Sequence, residues 1–206
     1  MKLFLFDFDG VLVDSLDVYE KTVNDCLKKI NRPLKRGREE ILELFEDNFY
    51  ESLKKKGVNL DVFMKAAEDI LAQIDYSKMK PFTAMLPVLD ELKKNHTLIV
   101  ISSNDKPTIQ EALRLYEFNG IFQDILGSDF MFSKKEKILH AAQKYKVALQ
   151  DIYYIGDTTG DIKEGKQAGI KTVGVTWGWH GKEKMAASKP DYLFDNPQEL
   201  LQLNQV

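Results

Sequence analysis

Residues Leu3–Ser15 read LFLFDFDGVLVDS, and this stretch decides the predicted fold. Its first part, Leu3–Phe6, is an apolar run typical of a buried strand in a parallel sheet. Side chains alternate between the two faces of an extended chain, so Asp7 and Asp9 share one face, and Gly10 then permits a sharp turn. Burying carboxylates is costly unless a cation or a reacting group lies between them. Taken alone, these residues are equally consistent with such a site and with a plain acidic strand end facing solvent.

The composition is typical of a globular protein. The chain has 206 residues, 44% hydrophobic and 30% charged, which suits one α/β domain or a core with a small insertion. Its net charge of −3 provides no general attraction to nucleic acid or to an anionic membrane, and we expect neither as a partner. The single cysteine, Cys26, excludes an intramolecular disulfide and leaves no basis for a cysteine-based zinc site. No apolar run approaches the ~18 residues that span a bilayer, so we expect a cytoplasmic protein. We expect either a monomer or a homodimer.

Helical patterns fill residues 16–78. They predict a helix over Leu16–Ile30, one or two helices within Glu39–Lys56, and a further helix capped by Asp61. The inner face of this last helix is predicted to consist of Val62, Phe63, Ala66, Ile70 and Ile74.

From residue 79 onward, strand patterns alternate with helical ones. Strands are predicted over residues 96–102, 121–126, 151–155 and 171–175. This alternation indicates an α/β fold, a doubly wound parallel sheet with right-handed crossovers. The predicted organisation is an α/β core of residues 1–15 and 79–206, into which residues 16–78 are inserted as a helical subdomain.

Polar residues follow two further predicted strands, and the carboxyl ends of parallel strands are where ligands bind in such sheets. Ser102-Ser103-Asn104 follows the strand of residues 96–102. A hydroxyl with backbone N–H groups near a helix N-terminus suits a phosphate group, although a serine that caps the next helix is the simpler interpretation of the tripeptide alone. After residues 151–155 the chain reads GDTTGD, where Asp157 and Asp161 are suited to holding Mg²⁺, or form a loop and a helix cap.

Taken in order, these motifs resemble those of the haloacid dehalogenase-like hydrolase superfamily. The family's DxDG motif stands as Asp7-Phe8-Asp9-Gly10, its Ser/Thr motif as Ser102, and its GDxxxD motif as residues 156–161. The continuation Leu12–Ser15 is similar to members with a helical cap inserted at this point, such as phosphoglycolate phosphatases. The resemblance implies a Rossmann-like core with residues 16–78 as a cap. Haloacid dehalogenases lack the carboxylate that Asp9 supplies, so the resemblance favours a phosphatase.

The resemblance also implies a mechanism. Asp7 attacks a phosphomonoester and forms an aspartyl-phosphate, while Asp9 protonates the leaving group and then activates water. The implied cofactor is Mg²⁺, held by the Asp7 carboxylate, the Asp9 backbone carbonyl and Asp157, with Asp161 bound directly or through water. Substrate binding is assigned to Gly10, Ser102, Ser103, Asn104 and Lys134.

A lysine that offsets charge on the nucleophile and on the phosphoryl group belongs to the same implied site. Lys134, Lys135 and Lys137 are the candidates, in the segment SKKEK. Lys134 is chosen by its distance upstream of Asp157. The prolines that commonly follow this lysine in the family are absent here.

The implied partner is a small phosphorylated metabolite, with a phosphomutase or a non-catalytic phosphate-binding protein as alternatives. Pyrophosphatase and nucleotidase activities also stay open. A phospho-receiver module is disfavoured, because receivers lack an inserted helical cap and the GDxxxD turn. The basic residues Lys28, Lys29, Arg32, Lys35, Arg36 and Arg38 are interpreted as a solvated face rather than a substrate site. For Trp177, Trp179 and His180, a structural covering of the sheet is favoured over a place at the mouth of the active site.

Overall fold

The computed structural model describes residues 1–75 and 78–204, and this part of the chain contains eight strands. They are β1 (Leu3–Phe6), β2 (Val13–Asp14), β3 (Lys80–Pro81), β4 (Thr97–Ile101), β5 (Asp124–Leu126), β6 (Ile152–Gly156), β7 (Lys171–Val175) and β8 (Tyr192–Phe194). Six of them form one parallel sheet in the order β5-β4-β1-β6-β7-β8. The doubly wound parallel sheet predicted from the sequence is confirmed.

Nine α-helices accompany these strands within the described residues. They are α1 (Leu16–Lys29), α2 (Arg38–Leu44), α3 (Phe49–Lys55), α4 (Leu60–Leu71), α5 (Met85–Leu92), α6 (Lys106–Leu115), α7 (Lys134–Tyr145), α8 (Thr159–Ala168) and α9 (Lys182–Ala187). A 3₁₀ segment, Pro197–Asn204, follows β8. None of the helices in residues 1–75 and 78–204 has the length and apolar character needed to cross a membrane.

The sheet has an apolar layer on each face. Phe4 and Phe6 of β1 belong to the core shared with α5, α6 and the 3₁₀ segment, whereas Leu3 and Leu5 belong to the core shared with α7 and α8. All four side chains are fully buried, as expected for a central strand covered by helices on both sides. In the register, Phe6 lies opposite Val100 of β4 and Ile155 of β6. The ends of these three strands therefore meet at one edge of the sheet.

Helices α1–α4, here called the helical unit, lie between β2 and β3. These two short strands pair antiparallel, with Asp14 opposite Lys80, where the chain leaves and rejoins the core. The unit has its own apolar core, which includes the fully buried Leu44 and Leu53. The division into a core and a cap at residues 16 and 78 stays a prediction. Residues 76 and 77 of the predicted cap and residues 205 and 206 of the predicted core lie outside the described residues.

The predicted start of α4 was wrong. Its predicted inner face was correct at Phe63 and Ala66, which are buried, but wrong at Val62 and Ile74. Its N-cap is Asn59, whose Oδ1 accepts the Val62 N–H at 3.1 Å, and Asp61 lies within the first turn. Phe63, Ala66 and Ala67 form the buried stripe, at the i, i+3, i+4 spacing of a helix. Val62 lies about 100° from Phe63 around the helix axis and is 52% exposed. Ile74 falls beyond the end of the helix.

Other differences concern short elements. The β2–β3 pair, β8 and α9 carry too few residues to show a periodic pattern. Helix α7 begins at Lys134, because Ser133 caps it by accepting the Glu136 N–H. Helix α8 begins at Thr159 through a capping box between Thr158 and Asp161.

Candidate active site

Three strands bring polar residues to the same edge of the sheet. Strand β1 lies between β4 and β6 in the sheet. The residues that directly follow these three strands therefore lie close together, and they are Asp7 after β1, Ser102 after β4 and Asp157 after β6. The register continues past β1, since the Asp7 N–H donates to the Ile155 carbonyl at 2.9 Å. Asp7 and Asp157 border a cavity of about 10 Å³, roughly the space that one water molecule needs.

Gly10 allows the two acidic loops to approach each other. Its φ is +75°, a conformation that glycine adopts at little cost. A Cβ atom at this position would also overlap the Asp157 carboxylate. Both constraints explain why residue 10 is glycine. Without a side chain at this position, the Asp157 carboxylate can approach the backbone closely.

Lys134 links two of the buried carboxylates. Its Nζ donates to Asp7 Oδ2 at 2.6 Å and to Asp161 Oδ1 at 2.5 Å. Although burial acts to lower the pKa of Lys134, the charges of Asp161 and Asp7 hold that pKa well above its usual range. Burial raises the pKa of Asp7 to about 7, despite the opposing charge of Lys134. Lys134 is therefore a fixed cation beside Asp7.

Asp161 is almost fully engaged by protein donors. Besides Lys134, it accepts the Tyr154 hydroxyl at 3.1 Å and both the N–H and the Oγ1–H of Thr158, at 3.0 and 2.7 Å. Burial acts to raise its pKa, but the charge of Lys134 and these hydrogen bonds hold the pKa below the ordinary aspartate value. Asp161 is thus an ionised anchor for Lys134.

Asp9 is held by two neutral donors. The Ser15 hydroxyl donates to Asp9 Oδ1 at 2.6 Å, and the Asn104 side-chain amide donates to Oδ2 at 2.7 Å. Burial raises the pKa of Asp9 to about 6, although the hydrogen bond from Ser15 opposes this. The arrangement fixes the carboxyl group beside Asp7 without a direct ion pair. Asn104, which the resemblance assigns to substrate binding, contacts Asp9 in this structure.

Asp157 has one carboxylate oxygen without a partner. Its Oδ2 accepts the Trp179 N–H at 2.6 Å, whereas the buried Oδ1 has no hydrogen-bond partner among the described residues. Burial, together with the charges of Asp161 and Asp7, raises its pKa well above the usual range. One oxygen each of Asp7, Asp157 and Asp161 lies within 4.8 Å of the others. This buried, oxygen-only set with an unpaired atom fits a hard cation such as Mg²⁺.

The segment after β4 contributes a serine to the cavity. Ser103 lines it, whereas Ser102 is fully buried and its Oγ accepts the Asn104 N–H at 3.0 Å. Lys137 donates to the Ser102 carbonyl at 2.6 Å, and burial lowers the pKa of this lysine to about 7. Of the three candidate lysines, Lys134 is the one that lies against Asp7.

Aromatic side chains close the cavity on the side of the helical unit. Tyr19 and Phe45 come from that unit and Trp179 from the loop after β7. The Trp179 ring meets those of Tyr19 and Phe45 edge to face, with centroids 5.1 and 4.9 Å apart. We call these three residues the aromatic wall. The favoured interpretation of Trp179 as a covering of the sheet was wrong, since it lines the site, whereas Trp177 packs in the core.

The helical unit docks on the loops that carry the acidic residues. The Gly160 N–H donates to the Phe45 carbonyl at 3.0 Å, and the Tyr50 hydroxyl donates to the Ser103 carbonyl at 2.6 Å. A Cβ atom at Gly160 would lie 2.7 Å from the same Phe45 carbonyl oxygen, so glycine is needed for this close approach.

His180 joins the core to the same face of the helical unit. Its Nδ1 accepts the Thr159 N–H and its Nε2 donates to the Leu42 carbonyl, both at 3.0 Å. Burial lowers the pKa of His180, in keeping with a neutral ring. It is a structural link between core and helical unit.

The basic cluster predicted in the first part of the helical unit does not line the cavity. Arg36 pairs with Glu43, and Arg38 pairs with Glu20 at 2.8 Å, on the exposed surface. This arrangement agrees with a solvated face. Sequence reasoning missed Ser15, although its hydroxyl reaches Asp9 only six residues away in the chain. It also missed Tyr19 and Phe45, which reach the cavity because the helical unit folds back onto the core.

Comparison with known proteins places these observations in a family. Residues 4–175 match the family model described as haloacid dehalogenase-like hydrolase. A phosphoglycolate phosphatase from Vibrio parahaemolyticus is 26% identical, with 98% of this chain and 96% of that protein covered. A pyrophosphatase PpaX from Bacillus velezensis is also 26% identical, with coverages of 98% and 95%. A haloacid dehalogenase-like family hydrolase from Streptococcus pneumoniae shares the fold, with a TM-score of 0.81 at 23% identity over 100% of this chain and 99% of that one.

Proposed function

Because the chain belongs to the haloacid dehalogenase-like hydrolase family, we propose that it is a Mg²⁺-dependent phosphatase that hydrolyses a small-molecule phosphomonoester through an aspartyl-phosphate on Asp7. The observation that carries this proposal is the pair of buried carboxyl groups, Asp7 beside Lys134 and Asp9 beside Ser15 and Asn104. A nucleophile and a separate acid-base group are what a two-step phosphoryl transfer requires.

Asp7 supplies the nucleophile in the first step. Its Oδ1 accepts the Phe8 N–H at 2.7 Å and its Oδ2 accepts Lys134, so the carboxylate is held in one orientation. Attack by an oxygen of Asp7 on phosphorus forms the aspartyl-phosphate as the bond to the leaving oxygen breaks. The Lys134 ammonium offsets negative charge on the transferring group, where electrostatics supply much of the catalysis.

Asp9 manages the proton in both steps. As an acid it gives its proton to the departing oxygen, and as a base it then takes a proton from the water that attacks the aspartyl-phosphate. Hydrogen bonds from Ser15 and Asn104 keep the carboxyl group in place through both steps. The second carboxyl group separates this proposal from carbon–halogen hydrolysis.

The residues proposed to hold Mg²⁺ are Asp7, Asp157 and the backbone carbonyl of Asp9, with Asp161 acting directly or through water. When bound, the ion supplies Lewis-acid charge stabilisation and orients the phosphoryl group. Asp161 also keeps Lys134 against Asp7. The orphaned Oδ1 of Asp157 supports the assignment.

We further propose that the helical unit acts as a cap. Its docking contacts leave a cavity of about 10 Å³, which is too small for a phosphoryl group. The substrate therefore enters after these contacts open, and their closure excludes water other than the attacking molecule.

The test is phosphate release from a panel of phosphomonoesters, with and without Mg²⁺. The wild type is compared with Asp7→Asn and Asp9→Asn. We expect release that needs Mg²⁺ and is lost in Asp7→Asn, because the amide is a poor nucleophile. A matched control is Asp14→Asn, an exposed carboxylate near the same segment. Absence of release from every ester by the wild type, with Mg²⁺ bound, would refute the proposal.

A further inference from the structure

Trp179 carries a hydrogen-bond donor that the protein leaves unused. The side chain is only 8% exposed, yet its Nε1–H has no hydrogen-bond partner among the described residues. Buried donors are normally satisfied, because an unpaired one retains the full cost of losing water. Trp179 also lines the cavity beside Asp7 and Asp9. Trp179, which carries the unpaired donor, therefore forms part of the wall of this cavity.

A second neutral donor belongs to the same wall. Tyr19 lines the same cavity, its ring contacts that of Trp179, and its hydroxyl is an uncharged donor. The wall thus offers an N–H and an O–H on otherwise apolar rings. Such groups bind an uncharged oxygen well and select against an apolar group that leaves them unpaired.

Positive charge is scarce on this side of the cavity. Of the described residues that line it, Lys134 is the one cation, and Asp7 and Asp161 already engage its ammonium. Tyr19 and Phe45, the contributions of the helical unit, are uncharged. A second negative charge on the leaving group would therefore be buried without a counter-ion, which is costly.

We propose that the Trp179 Nε1–H donates a hydrogen bond to an uncharged oxygen of the leaving group, so that Trp179 selects small phosphomonoesters with a neutral, oxygen-bearing leaving group. The proposal rests on the phosphatase function proposed above and names its substrate class. Tyr19 is a second donor to the same group. The aromatic wall contacts the remaining carbon atoms.

The experiment compares three small esters that differ at one end. 2-Hydroxyethyl phosphate carries a neutral hydroxyl, n-propyl phosphate replaces that hydroxyl by a methyl group, and phosphoglycolate carries a carboxylate. The values of kcat/KM are measured for wild type and for Trp179→Phe, which keeps an aromatic ring and removes the N–H. Trp177→Phe is the matched control, because the Trp177 Nε1–H donates to the Val11 carbonyl at 3.3 Å and lies outside the cavity lining.

In wild type we expect 2-hydroxyethyl phosphate to be the best of the three esters. Trp179→Phe is expected to lower the ratio of kcat/KM for 2-hydroxyethyl phosphate to kcat/KM for n-propyl phosphate. The expected decrease is about three- to tenfold, the effect of one neutral hydrogen bond. Trp177→Phe is expected to leave this ratio unchanged. Tyr19→Phe is a second variant of the same design, because it also removes a donor and keeps the ring. It is expected to lower the same ratio of kcat/KM values.

Two outcomes would overturn the inference. One is a Trp179→Phe variant in which kcat/KM falls equally for all three esters, since a structural role moves rates without moving their ratio. The other is a wild type that prefers phosphoglycolate, since the site would then accommodate a second negative charge. Failure to hydrolyse any ester is a different result and would instead count against the proposed phosphatase function.

Discussion

Replacing Lys134 by methionine is expected to destabilise the metal-free protein by about 3–5 kcal/mol, because it removes one partner of a buried ion pair. The Lys134 ammonium lies 2.6 Å from Asp7 Oδ2 and 2.5 Å from Asp161 Oδ1, and all three side chains are buried. Methionine has a similar length and fills much of the same space. The substitution therefore tests the charge rather than the packing.

The magnitude follows from two opposing contributions. Unit charges 4 Å apart attract by about 4 kcal/mol at an effective dielectric constant of about 20, and Lys134 makes two contacts at shorter distances. Burying the Lys134 ammonium also costs desolvation free energy, and this cost is absent in the methionine variant. Protonation of a carboxylate also limits the loss. The net value is thus a fraction of the summed attraction.

The pH dependence has a definite sign. Lys134 acts to lower the pKa of Asp7, which burial raises to about 7, so the pKa rises further in the variant. Folded Asp7 then binds a proton that the unfolded chain, with an aspartate pKa of about 3.9, has already released. A folded state that binds more protons loses stability as pH rises. The deficit relative to wild type is therefore expected to grow as pH rises through 7.

The assay is urea unfolding followed by circular dichroism, in EDTA, on either side of neutral pH. Lys135→Met is the control, because the side chain of the neighbouring lysine is half-buried and forms no ion pair within residues 1–75 and 78–204. A loss below about 1 kcal/mol, the level of a surface ion pair, would contradict this prediction. So would a deficit that does not change with pH.

Three further results are expected. Gly160→Ala places a Cβ 2.5 Å from the Asp47 carbonyl oxygen, so the helical unit is displaced, and hydrogen exchange of its backbone amides should accelerate while the core is unchanged. Asn104→Ala removes a donor to Asp9, and kcat should fall by about tenfold, a loss typical of one positioning hydrogen bond of about 1.4 kcal/mol, with little change in thermal stability. Asp157→Asn removes a buried carboxyl group whose pKa is raised well above the usual range, and with it the free-energy cost of protonating or desolvating that group on folding. The Tm in EDTA should therefore rise, while the gain in Tm on adding Mg²⁺ is lost.

Each of these results has a contrary outcome. Unchanged exchange in Gly160→Ala would show that the helical unit tolerates the added methyl group. A kcat equal to that of wild type in Asn104→Ala would remove Asn104 from the positioning of Asp9. A Tm in EDTA that falls in Asp157→Asn would show that the buried carboxylate stabilises the metal-free fold.

The core was predictable because its buried strands lie in short segments that alternate with helical patterns along the chain. Leu3–Phe6 and residues 171–175 were predicted with the bounds that the structure has. The start of α4 was not predicted correctly, because Asn59 and Asp61 are both residue types that cap helices. Which of them is the N-cap depends on which side chain reaches the Val62 N–H. The pairing of β2 with β3 escaped prediction because two-residue strands carry no periodicity.

The acidic part of the site was predictable because each member follows a strand of one parallel sheet. Trp179 was harder, since an aromatic residue beside glycine fits either a structural cover or a substrate wall. Tyr19 and Phe45 reach the cavity only because the helical unit folds back onto the core, through contacts such as that of His180 with the Leu42 carbonyl. No local pattern specifies such a long-range placement.

The packing of Trp179 gives the protein an intrinsic optical probe. The chain has two tryptophans, and only Trp179 contacts rings of the helical unit, those of Tyr19 and Phe45. Movement of the helical unit away from the core exposes this indole to water, and exposure shifts its fluorescence to longer wavelength. The Trp177→Phe variant has Trp179 as its single tryptophan. Stopped-flow emission from that variant therefore tests the proposed opening and closing of the helical unit without any attached dye.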